Sequence, residues 1–337
     1  MGPGEHGFIR RVGLLLRPPV TECRPGRPAP GSSSNTAAGA VFLEESLDPN
    51  TETSFNIAEP NVAHILASRP LADKDFKRIS EMVYSLCRIN LHDGKKALVQ
   101  ARLNKRLRQL GIDTYPEYLE LVQSDDTKRE LTYMIDTLTT NLTFFFRESD
   151  HFDYLRDEVL KKIDPGKDKK LRIWSAGCSS GEEAYTLAMV AREALPDLDR
   201  MDALILGTDI STRVLAVARE GSYPEVRFRD TPAPLRNKYF EKDPARPGFC
   251  RAKSELARLI RFRKLNLMEP WPMKQPFDVI FCRNVMIYFD KQTQHELVQR
   301  YFDALRPGGV FMVGHSESLT GIQHRFRYAR PTIYIKP

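Results

Sequence analysis

The chain has 337 residues, 41% of them hydrophobic, with 51 Lys and Arg against 44 Asp and Glu and a formal net charge of +7. That length fits one large or two ordinary domains, and that apolar fraction is enough for a sizeable core. The five cysteines, Cys23, Cys87, Cys178, Cys250 and Cys282, are odd in number and far apart, which excludes a C-x-x-C pair, a zinc-type spacing and a regular disulfide framework. The histidines form no H-E-x-x-H pair, so no metal is expected, and a reducing, cytoplasmic setting fits best. The basic balance suits an acidic partner without choosing between nucleic acid, an anionic membrane and a protein. Near the start the longest apolar run, Val12 to Leu16, is too short for a membrane span and poor as a signal core.

Residues 1–69 are punctuated by Pro, Gly and Ser, as in Arg24-Pro-Gly-Arg-Pro-Ala-Pro-Gly31. Such a segment buries too little apolar surface to offset the entropy of ordering it, and a disordered tail is expected. A helical module is expected over 70–148. Leu71 to Arg88 carries Phe76, Ile79, Val83 and Leu86 at helical spacing. Lys95 to Leu110 follows, with Val99, Leu103, Leu107 and Leu110 on one stripe and Gly111 at the stop. Lys95, Lys96, Arg102, Lys105, Arg106 and Arg108 make this helix cationic, with no acid among them. Tyr115 to Gln123 and Lys128 to Leu138 read as two further helices.

From Leu171 strands alternate with helices, the pattern of a parallel sheet with crossover helices. Strands are expected at 171–177, 203–209, 259–267, 277–282, 310–313 and 333–335, and helices at 181–195, 211–219 and 291–305. The Pro- and charge-rich stretch 221–258 interrupts the order as an inserted subdomain.

Four constellations carry chemistry. In the first, Gly177 and Gly181 flank a turn after the first strand, where backbone can approach a ligand at the carboxyl edge of the sheet. Glu182 and Glu183 follow directly, so the helix start disfavours phosphate and suits a cationic group such as the amino group of a methionine moiety; a plain tight turn with helix-capping acids is the alternative. In the second, Asp209 ends the next strand, where it either accepts bonds from two ribose hydroxyls or caps the helix beginning near Ser211. Together these two describe an adenosine-type cofactor without phosphates, as S-adenosylmethionine is, with NAD as the competitor. In the third, Asn141, Thr143 and Arg147 punctuate the run Phe144-Phe-Phe146, and polar groups set in such a run need partners; a linker packing its phenylalanines on the sheet is the other reading. In the fourth, Arg283, Asn284 and Tyr288 leave the fourth strand where open α/β sheets place ligands; an Asn there can bond an adenine edge and Tyr288 can line the reacting centre, or be core with a satisfied hydroxyl.

Thr139-Thr-Asn-Leu-Thr-Phe-Phe-Phe-Arg-Glu148, Trp174-Ser-Ala-Gly-Cys-Ser-Ser-Gly-Glu-Glu183, Gly207-Thr-Asp-Ile210, Asn266-Leu267, Phe281-Cys-Arg-Asn-Val-Met-Ile-Tyr-Phe-Asp290 and Gly314-His-Ser-Glu317 stand in one order. In that order the chain, from about Pro70 to its end, closely resembles the CheR-type chemotaxis receptor methyltransferases. The resemblance implies an N-terminal all-α domain, then a Rossmann-like methyltransferase domain over 149–337, with the insert as a small β-subdomain. It implies methyl transfer from S-adenosylmethionine to glutamate side chains on the cytoplasmic helices of chemoreceptors, giving glutamyl methyl esters. The cofactor contacts it implies are Asn141, Thr143, Arg147, Glu183 (in preference to Glu182), Asp209, Asn266, Leu267, Arg283 and Asn284, with Arg147 and Tyr288 facing the transferring methyl. In some members the β-subdomain docks a receptor's C-terminal peptide; here its turn, 241–248, is poorer in glycine than in those members.

A glutamate side chain is ionised near neutral pH, its reference pKa being about 4.3, so the reaction needs no general base. Arg147 is expected to orient the carboxylate and Tyr288 to steady it, while His315 is a possible supporting group and more simply a polar loop residue. Receptor methylation regions are acidic helical bundles, for which Lys95, Arg102 and Arg106 would form the docking face. Neither nucleic acid nor membrane insertion is expected. Two rivals remain: a methyltransferase acting on RNA or a small molecule, and a non-catalytic signalling scaffold that binds S-adenosylmethionine.

Overall fold

The computed structural model describes residues 69–139, 141–164 and 169–337. But for Arg69, the tail expected over 1–69 lies outside the described residues.

Four helices come first: α1 (Asp73–Cys87), α2 (Lys96–Leu110), α3 (Tyr115–Ser124) and α4 (Arg129–Leu138). Their apolar stripes meet in one core, where Ile79, Val83, Leu103, Leu107, Tyr118, Leu119 and Met134 are buried. Local signals set the boundaries. Gly111 closes α2 in the left-handed region at φ 68°, and Thr114 and Glu117 form a reciprocal capping box at the start of α3. Asp93–Lys95 is a separate 3-10 turn ahead of α2, so the α-helix begins one residue later than the spacing predicts.

A helical run follows, with α5 (Asp150–Tyr154) continuing as a π turn (Leu155–Val159) and a 3-10 turn (Leu160–Lys162). It is absent from the sequence reading, although Phe152, Leu155 and Val159 share a helical face. The sheet is built from β1 (Lys170–Ala176), β2 (Asp202–Asp209), β6 (Ile260–Lys264), β7 (Phe277–Cys282), β8 (Leu305–Val313), β9 (Arg327–Arg330) and β10 (Ile333–Ile335), in the spatial order β6-β2-β1-β7-β8-β10-β9. Strands β6 to β8 pair in parallel, while β10 is antiparallel to both β8 and β9. Helices α6 (Glu182–Ala194), α7 (Thr212–Glu220) and α10 (Lys291–Ala304) cover it, and both faces carry buried apolar clusters, as a parallel sheet requires. β8 begins five residues before the apolar run that announces it, because Gly308 and Gly309 bond to Lys336 across the sheet. β9 is a short charged edge without apolar alternation, and the sequence carries no signal for it.

The insert holds β3 (Ser222–Pro224), α8 (Ala233–Tyr239), β4 (Phe240–Lys242), β5 (Phe249–Ala252) and α9 (Ser254–Ala257), with its strands in the antiparallel order β3-β5-β4. Tyr223, Phe228, Tyr239, Phe240 and Leu256 are buried in the same cluster as α6 and one sheet face. The insert is therefore fused to the main core rather than standing apart from it.

In the sheet, strand order reverses beside β1: β2 and β6 lie on one side, β7 and β8 on the other. A crevice opens at the carboxyl ends of strands at such a reversal.

Candidate active site

That crevice is a cavity with about 910 Å³ of empty space, part of it open to solvent, walled by the ends of β1, β2, β6 and β7, by the segment 139–147 and by the C-terminus of α1. Asn141, Thr143, Arg147, Glu183, Asp209, Asn266, Leu267, Arg283, Asn284 and Tyr288 all line it. Residues separated by nearly 150 positions in the chain thus meet around one space.

Backbone geometry opens the cavity. Gly177 has φ 88°, and a Cβ there would fall 2.3 Å from a Val285 methyl, so no other residue fits without displacing the turn after β7. Ser179 and Asn284, both non-glycine, also take positive φ, at 49° and 59°. Strain of this kind persists only where surroundings enforce it, and the enforcing groups are visible. Asp209 accepts from the Ser179 N–H at 2.8 Å and from the Ser211 N–H at 2.9 Å. The N-cap of α7 is Ser211 itself, so Asp209 is not simply a helix cap: it pins the glycine turn and lines the cavity. Burial pushes its pKa up, while these two N–H groups favour the charged form. At the other turn, Glu317 accepts from the backbone N–H of Asn284 (2.7 Å), Val285 (2.9 Å), Ile287 (3.2 Å) and Gly314 (2.6 Å). Here too burial raises the pKa and the N–H donors pull it back.

Buried Arg283 is the electrostatic centre. Its Nε lies 2.9 Å from Glu183 Oε2, its Nη2 donates to the Arg147 carbonyl at 2.6 Å, and its Nη1 is 3.0 Å from His151 Nδ1. Ser175 Oγ donates to the other Glu183 oxygen at 2.7 Å. Glu183 thus faces the cavity, whereas Glu182 is buried on Ser180 and Arg227 and does not line it. His151 is fully buried. Burial first, then the Arg283 charge, lowers its pKa from 6.5 to about 4, so the ring is neutral; Nδ1 accepts from Arg283, and Nε2 donates to Thr332 Oγ1 at 2.7 Å. Glu148, His151 and His315 bring ligand-type atoms within 4.8 Å of one another, and two of the three face Arg283, whose Nη1 is 3.0 Å from His151 Nδ1 and 4.0 Å from Glu148 Oε2. His315 contributes its backbone N–H to Glu148 at 3.1 Å and its ring to Asp150 at 3.0 Å.

Arg147 is partly exposed, its Nη1 donating to the Leu142 carbonyl at 2.9 Å. Tyr288 is half-buried, and the Asn90 N–H donates to its carbonyl at 2.9 Å. Asn266 bridges to the helical module through the Leu86 carbonyl at 2.7 Å.

Of the three cations expected to dock the receptor, Lys95 has its Nζ 5.4 Å from the centre of the ring of Tyr288, a cavity residue. The other two are engaged within the module. Arg102 donates to the Leu138 and Thr139 carbonyls at 2.8 and 3.3 Å; Arg106 forms a two-pronged pair with Glu130 at 3.0 and 2.6 Å and stacks on Tyr133.

No site role was expected for Cys87, Ile89, Ile210, Leu265 and Phe289, which also line the cavity, because they carry no polar group that a local pattern would flag. His151 and Glu317 were missed as supports. Glu317 had a signal, the Gly314-His-Ser-Glu317 run; His151 had none.

Two family descriptions match the chain: "CheR methyltransferase, all-alpha domain" over residues 74–139 and "CheR methyltransferase, SAM binding domain" over residues 141–335. The chain belongs to the CheR methyltransferase family. Its relatives include the chemotaxis protein methyltransferase of Borreliella burgdorferi, 39% identical over 78% of this chain and 94% of the relative. Chemotaxis protein methyltransferase 2 of Pseudomonas aeruginosa is 41% identical over 77% and 92%, and the Escherichia coli chemotaxis protein methyltransferase is 38% identical over 78% and 91%. As a family member with the SAM-binding domain, the chain is an S-adenosylmethionine-dependent methyltransferase. Its cavity fits that cofactor chemically: two carboxylates, three asparagines and two arginines line it, among the described residues no lysine does, and the glycine turn leaves no room for a side chain at Gly177.

Proposed function

We propose that this chain transfers a methyl group from S-adenosylmethionine to glutamate side chains on the cytoplasmic helices of chemoreceptors, forming glutamyl methyl esters in chemotaxis adaptation. The observation that carries the reading is the single cavity in which Arg147 and Tyr288 share the walls with Glu183 and Asp209. In this reading the helical module, 70–148, presents the receptor to the methyltransferase domain, 149–337, in the cytoplasm.

Bound there, S-adenosylmethionine would supply an electrophilic methyl on a sulfonium: the glutamate oxygen would form the O–C bond to that methyl as the C–S bond breaks, its electron pair staying on sulfur and S-adenosylhomocysteine leaving. Asp209 would accept from the ribose hydroxyls, Glu183 would receive the amino group, and Asn266, Leu267 and Asn284 would border the base. Asn141, Thr143 and Arg283 would hold the remaining cofactor edge. Arg147 presents a planar fork that matches an incoming carboxylate, and the Tyr288 hydroxyl steadies it. No base is required of the protein, and rate comes from alignment, for which effective molarities are large.

The test is transfer from tritiated S-adenosylmethionine in the presence of chemoreceptors. The reading predicts label on receptor that mild base releases as methanol, and loss of turnover in Arg147→Ala and Tyr288→Phe with unchanged thermal unfolding. Alkali-stable label in RNA or a metabolite would replace the substrate assignment. Cofactor binding with no transfer to any receptor would favour the scaffold.

A further inference from the structure

The insert reaches the active-site wall at a point that no motif marks. Arg227 lies in the 3-10 turn after β3 and does not line the cavity. Its Nη1 donates to the Thr143 carbonyl and lies 3.4 Å from Glu182 Oε1. Its own carbonyl accepts from the Phe145 N–H at 3.4 Å. One residue of the insert thus grips the segment on both sides of Phe144.

Phe145 completes the attachment. Its ring stacks on Phe228 at 4.4 Å and meets Tyr223 and Phe240 edge-on at 5.1 and 5.3 Å. Those three rings belong to the insert, so Phe145 is a plug in the insert's own aromatic socket. The neighbours of this plug, Thr143 and Arg147, face the cavity. Glu182 supplies the fixed post: it is buried in the first turn of α6, and Arg227 is the cation paired with it.

We propose that Arg227 is a positioning residue for methyl transfer: it fastens the segment carrying Thr143 and Arg147 to α6, so the insert serves the reaction whether or not it docks a partner. This rests on the methyltransferase reading of the cavity. Arg227 touches none of the reacting atoms and acts through the segment it holds.

Removing Arg227 alone would strand the buried Glu182 carboxylate, so the test uses a neutralised post. Glu182→Gln removes the charge and keeps the Arg227–Thr143 bond; adding Arg227→Met then removes that bond without stranding a buried carboxylate. In the full chain, this second step is expected to weaken S-adenosylhomocysteine binding about tenfold, the size of a charge-assisted bond, and to lower the methylation rate. In an Asn141→Ala/Thr143→Ala/Arg147→Ala background the segment has little left to position, and the same step is expected to change affinity less than about twofold. An equal loss in both backgrounds, or no loss with Thr143 and Arg147 intact, overturns the proposal. Wild-type protein that does not bind S-adenosylhomocysteine overturns the cavity reading itself, and this proposal with it.

Discussion

Arg283 is a cation with almost no access to water, and such a group is tolerable only when its partners compensate for lost solvation. Glu183 supplies the counter-charge, the Arg147 carbonyl a bond, and His151 a neutral acceptor. The arrangement depends on His151 staying unprotonated among Arg283, Glu148, Asp150 and His315. Its folded-state pKa, about 4, lies below the ordinary 6.5, so below pH 6.5 the unfolded chain takes a proton that the folded chain refuses. Stability linked to this ring is therefore fully present above pH 6.5 and is lost as pH falls toward 4, by at most roughly 3 kcal/mol. Urea unfolding at pH 7.5 and pH 5 should show the loss in wild type and a smaller one in His151→Gln, whose amide can still accept from Arg283. An equal loss in both would remove His151 from the account.

Among the elements, the turn after β7 shows how a loop is held in a strained shape. Asn284 sits at φ 59° because Glu317 gathers the N–H groups on either side of it. Glu317→Gln puts an amide nitrogen among donors, and about 2 kcal/mol of stability should go. Cofactor affinity should fall with it, because Asn284 and Tyr288 ride on this turn; a variant with reduced stability and unchanged affinity would separate the turn from the site. This element also marks what the sequence discloses. Glycine turns, strand ends and polar residues inside apolar runs were legible because each breaks a local pattern, and Gly177, Asp209, Asn284 and Arg147 were found that way. Glu317 lies about thirty residues from the groups it holds, and only the pairing of β7 with β8 brings it near them. The helical run at 150–162 was overlooked because charged residues crowd its apolar face, and β9 because an exposed edge needs no alternation.

For the whole molecule, charge and assembly give different duties to the cations of the helical module. The net charge of +7 favours an acidic partner, yet α2 does not offer all its cations to solvent. Arg106 is held by Glu130, which is only 9% exposed at its side chain, and Arg106→Ala should cost about 3 kcal/mol of stability by leaving that carboxylate unpaired. Lys95, beside Tyr288, should behave differently: Lys95→Glu should leave unfolding unchanged and raise KM for receptor, most clearly at low salt. Steady-state methylation and thermal unfolding of both variants check the division, and the reverse pattern would refute it. Two modules also share the cavity, since the end of α1 supplies Cys87 and the residues after it Ile89 to its wall, and the Leu86 carbonyl accepts from Asn266.

If the cavity holds the sulfonium nucleoside through Asp209 and its neighbours, calorimetric titration with S-adenosylhomocysteine should find one site per chain, weakened about tenfold or more by Asp209→Ala. Wild-type protein with no affinity for that nucleoside, or an Asp209→Ala variant that binds it as tightly as wild type, would show that the cavity serves another ligand.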